Sequence, residues 1–315
     1  MSVIFFQNKF YPKAKCGDSF DRECPFPHAT GVAFESGSSF FASGLNEGGR
    51  LHIAAIPNAS FPTLKDWVIK SFGDTEPTMS GYVPGTFYKR IWRPLASPGS
   101  FHKAISQEKL TESFVALRIL LSKLETLFET IEPSELNLPA YGHKIREILL
   151  LACMEVESSW SAVLKENGYS TGGRFTTNDY VKLSGPMLLD GYTLSPQSYP
   201  SFPAFAPFKD WTASNPTTSL SWYDAYNKTK HDREGNLNVG TLDNAVRSVG
   251  AAVVMFHAQF GSNFGTGDQK SPLIRNIFRI VTKDLKKYEK EFYIPNVQGS
   301  GDLAPGDWVA LDYKF

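Results

Sequence analysis

Leu220-Ser221-Trp222-Tyr223-Asp224-Ala225-Tyr226-Asn227-Lys228-Thr229-Lys230-His231-Asp232-Arg233 reads as a short helix whose polar groups share a face. In helical phase Asp224, Asn227 and His231 fall at i, i+3 and i+7, with Lys230 beside them and Tyr226 at the edge of the stripe. A helix that only packs would carry apolar residues there. A carboxylate, an amide, an ammonium and an imidazole together can hold a phosphate or move a proton near neutral pH. The same set can also form a buried polar network that fixes helix register.

Upstream, residues 105–131 place Leu, Ile and Phe at helical spacing and stop before Pro133, the pattern of a long amphipathic helix. Residues 141–166 predict a second, with Ile145, Leu149, Ala152, Val156, Trp160 and Val163 as its core stripe and Gly168 as its end. On its flanks Arg146, Cys153 and Glu157 share one edge, and Ile148 and Glu155 the other. Glu155 is close enough to the apolar face to be partly buried, which raises a carboxyl pKa unless a cation meets it; Lys230 and His231 are the candidate cations. Residues 170–218 are rich in Pro, Ser, Thr, Tyr and Phe and read as a long irregular insertion, either covering a groove or sealing the core between helices.

Downstream of the polar helix, Leu242, Val246, Val249, Val253, Phe256 and Phe260 repeat as a bundle seam, and Ala245, Gly250, Ala251 and Ala252 permit close helix approach. His257, alone near the end of that helix, reads as a satisfied structural histidine. A further helix is expected from Ser271-Pro272 through Ile274, Ile277, Phe278, Val281, Leu285 and Tyr288. Its Lys283, Lys286, Lys287 and Lys290 form a basic outer face suited to solvent or to phosphate.

The first hundred residues differ in style. They are rich in Gly, Pro, Ser and aromatics, with apolar bursts at 31–41 and 50–56 that read as short strands. Asp307 to Tyr313 alternates like a strand and could pair with that region. Lys plus Arg equals Asp plus Glu at 32 each, which excludes a general basic field for nucleic acid or anionic membrane. The longest apolar runs, such as Ile148–Cys153, are far short of a membrane span, and the first six residues lack a secretory pattern, so a cytoplasmic protein without membrane association is expected. Three cysteines do not make a disulfide framework. Cys16, Cys24 and His28 lack the spacing of a structural zinc set, and a fourth ligand such as His52 would be an arbitrary choice, so neither metal nor other cofactor is expected. The phosphate loop, the zinc-protease helix and the hydrolase elbow are absent as motifs.

Two long helices, an irregular insertion, and a short polar helix with Asn-x-x-x-His before another long helix resemble the HEPN superfamily of nucleotide-binding helical domains, over roughly residues 105–262. The resemblance implies an Arg-Asn-x-x-x-His motif that cleaves RNA without metal, with the His moving a proton and the Arg stabilising charge on phosphorus. Here the motif reads Tyr226-Asn227-Lys228-Thr229-Lys230-His231, with tyrosine at the arginine position. A phenol cannot supply a fixed positive charge, although Lys230 or Arg233 could do so from neighbouring positions.

The expected fold class is therefore α+β, mainly α: a HEPN-like bundle over 101–295, preceded by a smaller β-containing region over 1–100 and followed by a strand-like tail over 296–315. The expected function is a noncatalytic binding or dimerisation module for RNA or a nucleotide, of a bacterial defence or toxin kind, with homodimerisation through the helical half and its small-residue seam. The alternatives are a metal-independent ribonuclease and a small-molecule site. For catalysis the candidates are His231, Asn227 and Lys230; for binding they are Asp224, Tyr226, Arg233, Glu155 and Arg146.

Overall fold

The computed structural model describes residues 3–10, 30–45, 51–93, 105–261, 270–281, 291–294, 297–298, 304–305 and 308–315. Cys16, Cys24 and His28, the glycine-rich stretch after Gly261, and the lysines between 283 and 290 lie outside them. The chain divides into two units, one of Met1–Tyr88, Arg93–Ala104 and Lys283–Leu311, the other of Lys89–Trp92, Ile105–Thr282 and Asp312–Phe315. The fold is mainly α with a small sheet region towards the N-terminus, as expected.

Val3-Ile4-Phe5-Phe6 has no polar alternation because the strand it forms is covered on both faces. This strand, β1 (Val3–Gln7), pairs antiparallel with β2 (Thr30–Ser36), which continues through β3 (Ser39–Leu45) to β4 (Leu51–Pro57). Successive side chains point to opposite faces. Ile4, Phe6, Ala33, Phe40 and Ala42 meet Leu64, Trp67, Val68 and Phe72 of α1 (Leu64–Phe72). Val3, Phe5, Val32, Phe34 and Phe41 meet Phe292 and Ile294 on the other side. Trp67 is thus a core residue. β5 (Thr78–Met79) completes the sheet in the order β4-β3-β2-β1-β5. Separately, β6 (Thr86–Tyr88) pairs in parallel with the tail, as its alternation suggested; the tail strand is numbered β11 (Val309–Leu311) below. Residues 291–294, read from the sequence as part of the bundle, fall in this unit, where Phe292 and Ile294 fill the sheet's second face.

In the second unit, α2 (Gln107–Phe128), α3 (His143–Glu166), α5 (Ser221–His231) and α7 (Leu242–Phe260) form the bundle, and α7 packs against the other three. The short α4 (Thr177–Tyr180) and α6 (Arg233–Asn236) lie in the connections. Ser248 through Phe260 are all buried. Buried Ser248 and Gln259 donate back to the carbonyls of Ala245 and Met255 at 2.8 and 2.9 Å, so these two side chains are satisfied within the helix. The small-residue seam is therefore occupied within the chain and does not provide the dimer surface expected of it. At Gly250 a Cβ would lie 2.7 Å from the Phe205 ring and 2.8 Å from Leu194.

The insertion seals the core. Phe202, Phe205, Phe208 and Trp211 are buried, and the Trp222 indole N–H donates to the Pro207 carbonyl at 2.9 Å. The insertion also carries β7 (Thr193–Pro196), which pairs antiparallel with β8 (Phe278–Val281). The expected helix over 271–288 is corrected accordingly: α8 ends early (Lys270–Arg275) and the chain extends as β8. Phe-Arg-Ile-Val has a strand composition, and its partner is some eighty residues away in sequence, beyond any local pattern. β9 (Val297–Gln298) and β10 (Ala304–Pro305) form a two-residue ladder in the first unit.

Asn167, just past α3, ties two short segments to the bundle. Its Nδ2 donates to the carbonyls of Lys89 (2.8 Å) and Val163 (2.9 Å), and its Oδ1 accepts from the Tyr313 amide at 2.8 Å. Arg90, at φ 53° in the left-handed region, donates to Gln259 at 2.7 Å and Glu166 at 3.1 Å, which holds a conformation that costs a non-glycine residue about 1–3 kcal/mol.

His257 is fully buried between the rings of Trp92 and Tyr192, at 5.1 and 5.5 Å, and among the described residues its Nε2 has no hydrogen-bond partner. It is structural, as its sequence position suggested, but unsatisfied. Burial alone lowers its pKa from 6.5 to about 4. Between those values the unfolded chain holds a proton that the folded chain does not. Stability should thus fall as the pH drops through this window, by up to about 1.4 kcal/mol per pH unit from this group, and level off below it. Denaturant melts across that range should show the slope in the wild type and a shallower one in His257→Leu. Gly250→Val should cost about 1–3 kcal/mol in the same assay, because the Phe205 ring and Leu194, both buried, would have to shift to admit the new side chain.

Candidate functional site

α5 carries two stripes. Trp222, Ala225, Tyr226 and Thr229 recur at i, i+3, i+4 and i+7 and are buried together with Tyr223. Asp224 and Asn227 on the other side are half-buried, and Lys228, Lys230 and His231 are exposed. Asp224 stands in the first turn and the basic residues Lys228, Lys230 and His231 in the last, the order that complements the helix dipole. The sequence stripe of Asp224, Asn227 and His231 is thus the outward face. Asp224 pairs with Lys228 at 2.6 Å, and the Asn227 amide donates to the Tyr223 carbonyl at 2.9 Å. His231 makes no hydrogen bond or ion pair among the described residues, so no group there sets its tautomer.

The inward face holds the polar network. The Tyr223 hydroxyl donates to Glu157 Oε1 at 2.6 Å and the Tyr226 hydroxyl to Glu157 Oε2 at 3.4 Å. Lys230 Nζ donates to the Tyr226 hydroxyl oxygen at 2.9 Å and lies 4.9 Å from that ring's centroid. One carboxylate on α3 therefore accepts from both tyrosines, and the second tyrosine positions the lysine. Burial, reinforced by the bond to Glu157, drives the Tyr223 phenol far above its ordinary pKa. Burial also raises Tyr226, while the hydrogen bond that Lys230 donates to the Tyr226 hydroxyl raises the ammonium's pKa. Near neutral pH Tyr226 is a neutral phenol and the cation is Lys230. Cys153 lies beneath, its thiol pushed well up by burial and then by Glu157, which makes it an inert core residue.

Two candidates have other roles. Arg146 donates through Nη2 and Nε to the Thr229 carbonyl, at 2.8 and 3.3 Å, and so caps the last turn of α5. Glu155 is half-buried and burial raises its pKa, but the opposing cation is Arg90, not Lys230 or His231. The reason is helical phase: Glu155 lies on the edge of α3 away from the one that Arg146, Cys153 and Glu157 turn to α5. Arg233, the first residue of α6, is exposed, like Lys230 and His231. Glu157 and Tyr223, absent from the sequence-based candidates, are the centre of the network.

Among the described residues no group of His, Cys, Asp and Glu is arranged to hold a metal ion, and no helix is long and apolar enough to cross a membrane. Comparison with known protein families, curated proteins and solved structures finds no match to this chain.

Removing the shared acceptor leaves two tyrosine hydroxyls without it. Glu157→Ala should cost about 2–4 kcal/mol, and Tyr223→Phe about 1–2 kcal/mol, since the latter frees one oxygen of a half-buried carboxylate that keeps its second partner. A double-mutant cycle of the two by denaturant unfolding should show coupling above about 0.5 kcal/mol. Additive losses would mean that the hydrogen bond carries no net stabilisation.

Proposed function

We propose that the helical unit is a HEPN-like binding module that does not cleave RNA, that recognises RNA or a nucleotide through its phosphates, and that works as a homodimer. The observation that carries this reading is the state of Tyr226. At the motif's arginine position stands a buried, neutral phenol already engaged by Glu157 and Lys230. Phosphoryl transfer needs charge stabilisation at the phosphorus and a positioned proton carrier. Here the proton carrier, His231, is exposed and has no described group to orient it. What remains outside is a pair of exposed cations, Lys230 and Arg233, with the His231 imidazole between them in sequence, suited to hold phosphate oxygens. The balanced net charge confines such binding to this local patch.

The enzymatic alternative keeps one supporting observation: His231 is exposed and unpaired, beside Lys230, and so is free to meet a substrate. A mixed RNA pool incubated in EDTA separates the two readings. The wild type and a folded His231→Ala should leave the RNA equally intact, whereas cleavage lost in His231→Ala would make the protein a ribonuclease. In the same buffer, fluorescence anisotropy should show salt-dependent binding of single-stranded RNA or ATP. Lys230→Glu/Arg233→Glu should weaken it about tenfold or more and flatten the dependence on salt. Absence of any RNA or nucleotide binding would refute the module. Sedimentation velocity tests the dimer, and a single monomer peak at working concentration would remove that part.

A further inference from the structure

We infer that the outer face of α2 and α3 is the surface on which a second copy of this chain docks. The inference rests on the homodimer of the proposed reading and names its interface, because the small-residue seam of α7 is already occupied within the chain. Three observations carry it.

The first is an apolar patch that the bundle leaves in water. Val115 and Ile119 stand one turn apart on α2 and are 42% and 51% exposed, and Met154 of α3 is 56% exposed. Two ion pairs fix how these helices lie: Lys109 meets Glu166 at 2.8 Å and Lys123 meets Glu147 at 2.8 Å, so α2 and α3 run antiparallel. Ile119 is one turn back from Lys123, and half-buried Leu151 and exposed Met154 are one and two turns on from Glu147. The two helices thus present their apolar residues at one level, between an ion pair at either end. Single exposed apolar residues are ordinary, but a group of them rimmed by charge marks a contact surface.

The second is that the charges around the patch complement a second copy. Glu108 in the first turn of α2 and Lys165 in the last turn of α3 are exposed, and neither forms an ion pair among the described residues. They adjoin Lys109 and Glu166, whose ion pair puts them at one level. In helical phase Glu108 lies with Val115, and Lys165 with Met154, so both stand out from the patch instead of towards each other. A two-fold axis parallel to the helices lays α2 of each copy over α3 of the other and keeps that level. It sets Ile119 against Met154 of the second copy and Glu108 against Lys165 of the second copy, each twice by symmetry. One isologous contact therefore covers the apolar centre and pairs the free charges at its end.

The third is size. α2 has 22 residues and α3 has 24. Helices of that length are about 33 and 36 Å long and about 10 Å wide, so side by side they present roughly 600–700 Å². A stable interface takes about 800 Å² from each partner, and this face supplies most of it. α5 packs against the other edge of α3, where Arg146 and Glu157 meet it, so a dimer built this way leaves the cations of α5 open to a ligand.

Sedimentation velocity of the full chain over a wide range of concentration tests the interface. The wild type should pass from monomer to dimer. Ile119→Glu and Met154→Glu, at exposed positions and checked for folding by circular dichroism, should each weaken dimerisation about tenfold or more. Lys165→Glu should weaken it about threefold, and the exchange Glu108→Lys/Lys165→Glu should restore it, which a general disturbance of the surface would not do. A wild type that stays monomeric at every concentration overturns the interface together with the dimer of the proposed reading, and leaves the face to a different protein. A wild-type dimer that Ile119→Glu and Met154→Glu both leave intact overturns the interface alone. Loss in Lys165→Glu that the exchange does not restore overturns the two-fold arrangement. RNA and ATP binding measured alongside separates the interface from the rest of that reading: a dimer dependent on Ile119 and Met154 that binds neither establishes the interface and refutes the binding module.

Discussion

A helix with almost no solvent face must be covered on every side, and α7 is such a helix. From Ser248 to Phe260 every residue is buried, and each large apolar side chain enclosed there contributes about 1.5–3 kcal/mol relative to exposure. No single neighbour can cover a cylinder. α2, α3 and α5 pack around it, and Phe205 and Leu194 of the insertion close over Gly250. This requirement explains why the insertion is ordered despite its loop-like composition. It also explains why the small residues of α7 serve contacts within the chain: they set how near those neighbours come.

Burial on this scale leaves polar groups to be satisfied, and the candidate site is built from one such solution. α5 brings Tyr223 and Tyr226 into the bundle with their hydroxyls, and α3 meets both with a single carboxylate, Glu157. The consequence reaches the surface. The second hydroxyl accepts from Lys230 and fixes a cation on the exposed side of the helix. Arg146 meanwhile binds the carbonyl end of α5, so that the orphan acceptors of the last turn are partly neutralised. The tyrosine that stands where the proposed motif has an arginine thus orders a charge one turn later. Under the proposed reading, that exchange favours holding a phosphate over stabilising charge at a reacting phosphorus.

Much of this was legible in the order of residues. The 3.6-residue periodicity of residues 105–131, 141–166 and 239–260 marked three bundle helices, which form as α2, α3 and α7. The bursts at 31–41 and 50–56 marked the strands, and the alternation of the tail marked β11. Periodicity is a local property, and these elements express it. Even Glu157 had a signal, since it shares an edge of α3 with Arg146 and Cys153, and the buried stripe of Trp222, Ala225, Tyr226 and Thr229 is written in the spacing of α5. The polar stripe of Asp224, Asn227 and His231, more conspicuous in sequence, lies on the outward face instead.

What depended on partners distant in the chain was decided only in three dimensions. Phe278–Val281 followed a helical pattern in sequence, yet β7 offered it backbone partners and it became a strand. Glu155 and Glu157, two residues apart on one helix, diverge because successive positions point to different neighbours, one towards Arg90 and the other towards α5. Whether Tyr226 faced water or the core was undetermined until the packing of α3 against α5 put Glu157 beneath it. The sequence by itself determined which elements form, because helix and strand periods reflect which face of each segment avoids water. The tertiary structure alone decided which charges meet, because an ionisable group is defined by what surrounds it, and those surroundings come from residues far apart along the chain.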